Sequence, residues 1–381
     1  MELAITGGRA LLSDQGLVTA DIGVQDGVIA EISGPERRFD ATGLLVLPGI
    51  IDLHGDAFER QVQPRPGVSF PMDLAVAETE AQLLANGITT TFHGVTLSWE
   101  KGLRSAETWT SLLAALAANR PRQSCDMRIH LRWEAFNLPA LDLALAAIEQ
   151  GAVHLLAFND HTPGILRKMA DAATGAKYSE RAGMKLDAFR DLANAIGTRA
   201  DEVPAALARM AEAAQRAGIP MASHDDARVA DRDAFRAMGA RISDFPMSTE
   251  VAKAATEAGD SVIMGSPNVV RGGSHMGWSG AAETVEAGFC QILTSDYFYP
   301  AMLRAAFILA DRHGQDGLAA RWALISANPA AAAGLTDRGR IAQGLRADMV
   351  IVSRDPAPHV VATIAGGKLA YLSAEGAARL H

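Results

Sequence analysis

Between residues 49 and 294 the chain repeats one unit, a short apolar run followed by an alanine-rich stretch of helical spacing. The runs are Gly49–Leu53, Thr89–Val95, Met127–Trp133, Val153–Phe158, Pro220–Ser223, Arg241–Phe245, Ser261–Met264 and Cys290–Thr294. Ala75–Ala85, Thr108–Ala118 and Pro204–Ala217 are helical stretches between them. Strands buried on both faces read as continuous apolar runs, and parallel strands need a crossover, usually a helix, to return the chain. Eight such repeats predict an α/β fold, a parallel (β/α)8 barrel spanning residues 47–336. A doubly wound open sheet is the alternative, but no glycine-rich fingerprint follows the first run.

The two ends differ from this middle. Glu2–Ile5, Leu17–Val24 and Val28–Ile32 read as strands, with Asp26-Gly27 as a tight hairpin turn. At the far end, residues 348–352, His359–Ile364 and Lys368–Leu372 repeat that character, with Gly366-Gly367 at a turn. Strand-rich termini around a different middle predict one small β-sandwich built from residues 1–46 and 337–381, with the barrel inserted; two separate flaps are the alternative.

With 49% hydrophobic and 21% charged residues the chain is not disordered. A net charge of −9 argues against a nucleic-acid partner, because there is no basic excess to displace counterions. It does not argue against a small anionic substrate, which answers to a local field. No apolar run approaches the ~20 residues that span a membrane. Only Cys125 and Cys290 occur, and the start has no signal-peptide pattern, so a cytoplasmic location is expected.

In a barrel of this kind functional groups sit at the C-terminal ends of strands. Those ends carry His54 and Asp56, His93, His130 with Arg132 and Glu134, Asp160-His161, His224-Asp225-Asp226, and Asp296. One such histidine is usually a hydrogen-bonded core residue; so many at separate strand ends point to a metal centre. Side chains two apart on a strand share a face, so His54 and Asp56 can reach one cation. Imidazole and carboxylate suit a divalent ion such as zinc, with manganese or magnesium as alternatives, and one or two ions are possible. A catalytic ion keeps a position open for water and lowers its pKa. Asp296 is the expected base, with an N-cap of the helix near Pro300 as the bland alternative.

Pro48-Gly-Ile-Ile-Asp-Leu-His54, His224, Asp296 and the tail Asn328-Pro-Ala…Gly344-Leu-Arg-Ala-Asp348 together resemble the amidohydrolase superfamily. Within it the chain looks like the diphosphatases of phosphonate metabolism. Leu53-His-Gly-Asp56, Pro64-Arg-Pro66, His130-Leu-Arg-Trp-Glu134, Asp160-His-Thr-Pro-Gly164, Ala222-Ser-His-Asp-Asp226, the segment Met264 to His275 and Leu293-Thr-Ser-Asp-Tyr297 carry that likeness. It implies hydrolysis of a ribose triphosphate by metal-activated water attacking the α-phosphorus, and metal ligands His54, Asp56, Glu134, Asp160, His224 and Asp296, with His224 and Asp296 catalytic. The chain departs from the superfamily pattern where Asp56 replaces the second histidine of His-x-His and Asp244 stands at the sixth-strand histidine. No strand-four lysine is evident.

Expected substrate contacts are Arg65, Lys177, Asn268, Arg271, Ser274 and His275. Arg271 can grip phosphate bidentately, and Gly272-Gly273 would let backbone N–H groups approach oxyanions. The excursion from Pro163 to about Ala200 is placed to form a lid, with Lys177 on the phosphates by resemblance. The expected partner is thus a small phosphorylated molecule, with a homodimer as a further expectation. A generic amidohydrolase acting on an amide, N-acyl or amidine substrate is the second reading, and a non-catalytic scaffold the third.

Overall fold

The apolar runs form one all-parallel sheet in which each strand pairs with its neighbour in sequence. The computed structural model describes residues 2–31, 35–65, 67–169, 171–273, 280–314 and 317–381. The strands are β1 (Ile50–Gly55), β2 (Ile88–Leu97), β3 (Asp126–Glu134), β4 (Leu155–Asn159), β5 (Met221–His224), β6 (Ile242–Asp244), β7 (Ser261–Gly265) and β8 (Ile292–Thr294). The barrel closes at its upper rim, where Gly55 bridges Asp296. There the Asp56 N–H donates to Asp296 O, and the Asp296 N–H to His54 O, each at 2.9 Å.

Branched and aromatic side chains fill the lumen below the site: Ile51, Leu53, Phe92, Leu155, Ile242, Ile263 and Ile292. Outward-facing strand residues such as Ile129 and Trp133 pack with Trp109 and Leu112 of the helix Ala106–Asn119 in the surrounding layer. Burying each such side chain is worth about 1.5–3 kcal/mol. His93 belongs to that outer layer. Its ring meets Phe58 at 5.2 Å, and it lines a small apolar gap with Val62, Ala75 and Leu112.

The termini build two further sheets. One runs Val28–Ala30, Ile22–Gln25, Leu3–Thr6, Arg37–Asp40; the other runs Lys368–Leu372, His359–Ala365, Met349–Ser353, Leu45–Pro48, Arg9–Leu12, Gly16–Thr19. Both ends of the chain meet where Leu45–Pro48 pairs antiparallel with Met349–Ser353. Leu3, Ile22, Val24 and Phe39 of the first sheet pack against Met349, Ile351 and Val361 of the second. The strand predicted over Leu17–Val24 is two strands, Gly16–Thr19 and Ile22–Gln25, which lie in different sheets. Asp26 and Gly27 both have positive φ, 50° and 85°, as a mirror-image hairpin turn requires.

The excursion after β4 folds into α1 (Thr162–Lys168), α2 (Ala172–Arg181) and α3 (Leu186–Gly197). Ile165, Met169, Phe189 and Ala193 pack with Trp99 and Phe136 from the ends of β2 and β3. Among the described residues no helix is long and apolar enough to cross a membrane. Cys125 and Cys290 are buried free thiols.

Candidate active site

The seam between β1 and β8 is fixed by Asp52, a fully buried carboxylate. It accepts from Ser295 Oγ at 2.5 Å, the Ser295 N–H at 3.0 Å, the His54 N–H at 3.3 Å and the Thr294 hydroxyl. Burial raises its pKa and these donors oppose the rise. Gly55 is required here, because a Cβ would stand 2.6 Å from Asp52 Oδ2. The clamp holds His54 and Asp296 face to face at the rim. Asp225, Phe245 and Asp296, just past β5, β6 and β8, all adopt left-handed φ of 58°, 58° and 54°. Such backbone strain persists where surrounding contacts over-determine it.

At the centre lies Asp244, fully buried at the end of β6. Its Oδ2 takes Nδ1 of His54 and Nδ1 of His224, each at 2.8 Å. Arg132 Nη2 lies 2.7 Å from His224 Nε2. A guanidinium only donates, so Nε2 accepts and the His224 proton sits on Nδ1, facing Asp244. Burial opposes ionisation of Asp244, but the two imidazoles overcome it and hold its pKa well below the usual range. His54 points its other nitrogen towards Gly94, where a Cβ would come within 3.2 Å of Nε2.

His130 donates from Nδ1 to Leu53 O at 2.9 Å, which leaves the lone pair on Nε2, and its ring meets His54 edge-on. Burial, reinforced by His54, lowers its pKa to about 3, so it is neutral. His130 Nε2 and Asp244 Oδ1 are buried without a hydrogen-bond partner among the described residues. Orphaned lone pairs of this kind, in a nitrogen and carboxylate set, fit a divalent cation. Ligand atoms converge within 4.8 Å in two groups, His54–His130–Asp244 and His161–His224–Asp225.

Of the ligands expected from sequence, His54 and His224 fall in these two groups, whereas Asp56 and Asp296 stand beside them at the rim and belong to neither. Asp56 lies 3.8 Å from Arg132 Nη1. Burial and then the Asp56 charge push the Asp296 carboxyl up to about 7. Asp296 caps no helix; the helix Ala301–Asp311 has Pro300 at its N-cap. Glu134 is saturated by protein donors, the His161 and Thr162 N–H groups at 3.0 and 3.1 Å and the Thr162 hydroxyl at 2.9 Å, with His161 Nδ1 3.2 Å from its second oxygen. It positions the β4 loop. Asp160 is exposed and belongs to neither ligand group. His130, His161 and Asp225, noted at strand ends but not chosen as ligands, join the centre together with Asp244, whose sequence signal was that it stands at the sixth-strand histidine.

The substrate contacts disperse. The stretch after β7 is a short helix, α4 (Ser266–Arg271), carrying Asn268 and Arg271. The Gly272 and Gly273 N–H groups close that helix, donating to Val269 O and Asn268 O, so this glycine pair is not an open anion cradle. Arg271 is exposed and donates to Tyr297 Oη at 3.2 Å, and Arg60 lies 5.9 Å over the same ring. Arg65 is exposed in a turn bridged to Val68. Lys177 is exposed on α2, outside the wall of the adjoining cavity. Ser274 and His275 lie outside the described residues.

That cavity, about 820 Å³, opens beside the centre above β3, β4 and β5. Its wall includes Arg104, Arg132, His161, Arg167, Lys168 and His224. It is within the size range of a small-ligand site.

Searched against family models, the chain matches none. It is 32% identical over 360 residues to the alpha-D-ribose 1-methylphosphonate 5-triphosphate diphosphatase of Escherichia coli strain K12, covering 90% of this chain and 93% of that protein. The chain belongs to that diphosphatase family, within the amidohydrolase superfamily. Among solved structures, an amidohydrolase superposes with a TM-score of 0.61 at 14% identity, over 98% of this chain and 100% of the other. N-acetylglucosamine-6-phosphate deacetylase from Pasteurella multocida gives 0.64 at 11% identity, over 96% and 99%. At these identities the likeness shows the fold, a barrel with a sandwich from both termini, common to this amidohydrolase-superfamily hydrolase.

Proposed function

We propose that the protein hydrolyses α-D-ribose 1-methylphosphonate 5-triphosphate to the 5-phosphate and pyrophosphate, using a divalent cation, most simply zinc, in the cytoplasm. The observation that carries this reading is Arg132, a buried guanidinium 2.7 Å from His224 in the middle of the ligand centre. A fixed cation there matches the charge of a phosphoryl group; a neutral amide has no equivalent need for it. The relationship to the E. coli diphosphatase supports the same chemistry.

His54, His130, His161, His224, Asp225 and Asp244 would hold the ion or ions, His224 through the Nε2 that Arg132 occupies here and would release to the cation. A bound divalent cation supplies Lewis acidity, making water more acidic and offsetting phosphoryl charge. Asp296, facing Asp56 across the seam, takes the proton from the attacking water. The water oxygen bonds the α-phosphorus, the bond from that phosphorus to its bridging oxygen breaks, and the electron pair leaves with pyrophosphate. Arg132 neutralises charge developing on the phosphoryl oxygens. Asp244 fixes the tautomers of His54 and His224.

Phosphorus NMR of the metal-loaded enzyme with this triphosphate is the test. Appearance of pyrophosphate with a ribose 5-phosphate product is expected, abolished by a chelator and restored by the cation. Turnover of an amide panel with no pyrophosphate release would replace the proposal with a conventional amidohydrolase activity.

A further inference from the structure

The cavity above β3 to β5 and α4 after β7 lie on opposite sides of the barrel mouth, and both present cations. On the cavity side Arg132 reaches the centre, while Arg167 and Lys168 stand further out at the end of α1. On the other side Arg60 and Arg271 converge on Tyr297, the neighbour of Asp296. The proposed substrate is anionic at both ends, a triphosphate at C5 and a methylphosphonate at C1. Its two ends need two cationic seats, and their sizes differ.

The cavity suits the larger charge. Of the five carboxylates on its wall, Asp225, Asp226 and Asp231 are engaged by protein partners, and Asp160 lies near Arg167. Asp231 takes Arg228 Nε at 3.0 Å, Asp226 takes the Ser223 hydroxyl, and Asp225 lies 3.5 Å from His224 and 3.6 Å from His161. Among the described residues neither Arg167 nor Lys168 has a carboxylate within ion-pair distance; Lys168 Nζ meets Tyr178 Oη at 3.4 Å. Arg271 likewise has a phenol, Tyr297, as its recorded partner. Lys168 and Arg271, held by neutral groups, keep their charge for a ligand.

We propose that the substrate crosses the centre in one direction, with its β- and γ-phosphates in the cavity against Arg167 and Lys168 and its C1 phosphonate against Arg60 and Arg271. This rests on the diphosphatase reading and moves the polyphosphate from the residues after β7 and Lys177, where the sequence expectation put it, to Arg167 and Lys168.

Steady-state kinetics of the metal-loaded enzyme on two substrates separate the ends: the full molecule, and ribose 5-triphosphate, which lacks the phosphonate. The exposed positions make the variants foldable. Arg167→Gln with Lys168→Gln raises KM at least 10-fold for both substrates and weakens product inhibition by pyrophosphate. Arg271→Gln raises KM about 5- to 10-fold for the full substrate and leaves ribose 5-triphosphate unchanged. The opposite pattern, with Arg271→Gln impairing both substrates and the double variant neither, overturns the assigned direction while leaving the diphosphatase reading intact. Equal effects of both variants on both substrates also overturn it. Absence of pyrophosphate from either substrate with the unaltered enzyme removes the functional reading itself.

Discussion

His54 and His224 share one acceptor atom, Asp244 Oδ2, each through Nδ1 at 2.8 Å. One carboxylate at the end of β6 thus sets the tautomer of imidazoles from β1 and β5. Nε2 of His54 then faces Gly94 and Nε2 of His224 faces Arg132, so a carboxylate stands in a histidine's place and orients both rings.

Asp244→Asn keeps the shape but removes the acceptor charge and offers a donor at one of its two terminal atoms. Loss of such a partner typically reduces metal affinity or activity 10- to 100-fold. Metal content after dialysis and kcat/KM should fall together, with thermal stability nearly preserved. An unchanged metal content would show that Asp244 does not govern the two rings.

Gly55→Ala places a methyl group 2.6 Å from Asp52 Oδ2 and 3.1 Å from Ser295 Oγ. The seam must shift, carrying Asp296 with it. Displacements near 1 Å at a reacting group cost about 100-fold in rate, so kcat should drop by about that factor while KM changes little. Wild-type kcat in this variant would count against the clamp.

Arg232, on the helix Val229–Ala237, is fully buried and tied to Asp260 at 3.1 Å, Ile242 O at 3.1 Å, Ser223 Oγ and Ala240 O. It locks the strands that carry His224 and Asp244. Arg232→Met leaves Asp260 and Asp226 short of a partner, and breaking such a buried pair costs about 3–5 kcal/mol. Urea unfolding should register that loss. A midpoint within error of wild type would refute it.

His93 is neutral in the folded chain, because burial lowers its pKa to about 4 from 6.5. Below pH 6.5 the unfolded chain binds a proton that the folded one refuses. Stability is therefore lost as pH falls from about 6.5 towards 4, by about 2 kcal/mol between pH 7 and 5. His93→Leu, which suits the apolar gap beside Phe58, should flatten that part of the stability profile. Equal pH slopes for the two proteins would contradict this assignment.

The repeats of apolar run and helix were enough to read the barrel, because strand burial on two faces leaves a continuous hydrophobic signature in the chain itself. Strand ends then exposed His54, Asp56, His224 and Asp296 to inspection, since position along a barrel strand already says which rim a residue occupies. What pairs with what was not local. His54 and Asp244 are 190 residues apart, and only barrel closure brings their atoms together. Glu134 looked available until α1 turned its backbone donors and Thr162 onto it. Arg271 looked like a loop residue until Pro267 and the two capping glycines ended up bounding a helix turn. Sequence therefore determined the scaffold and the stock of ligands, through short-range periodicity. Tertiary structure decided which carboxylates were free to act, because hydrogen-bond satisfaction depends on neighbours contributed by distant strands.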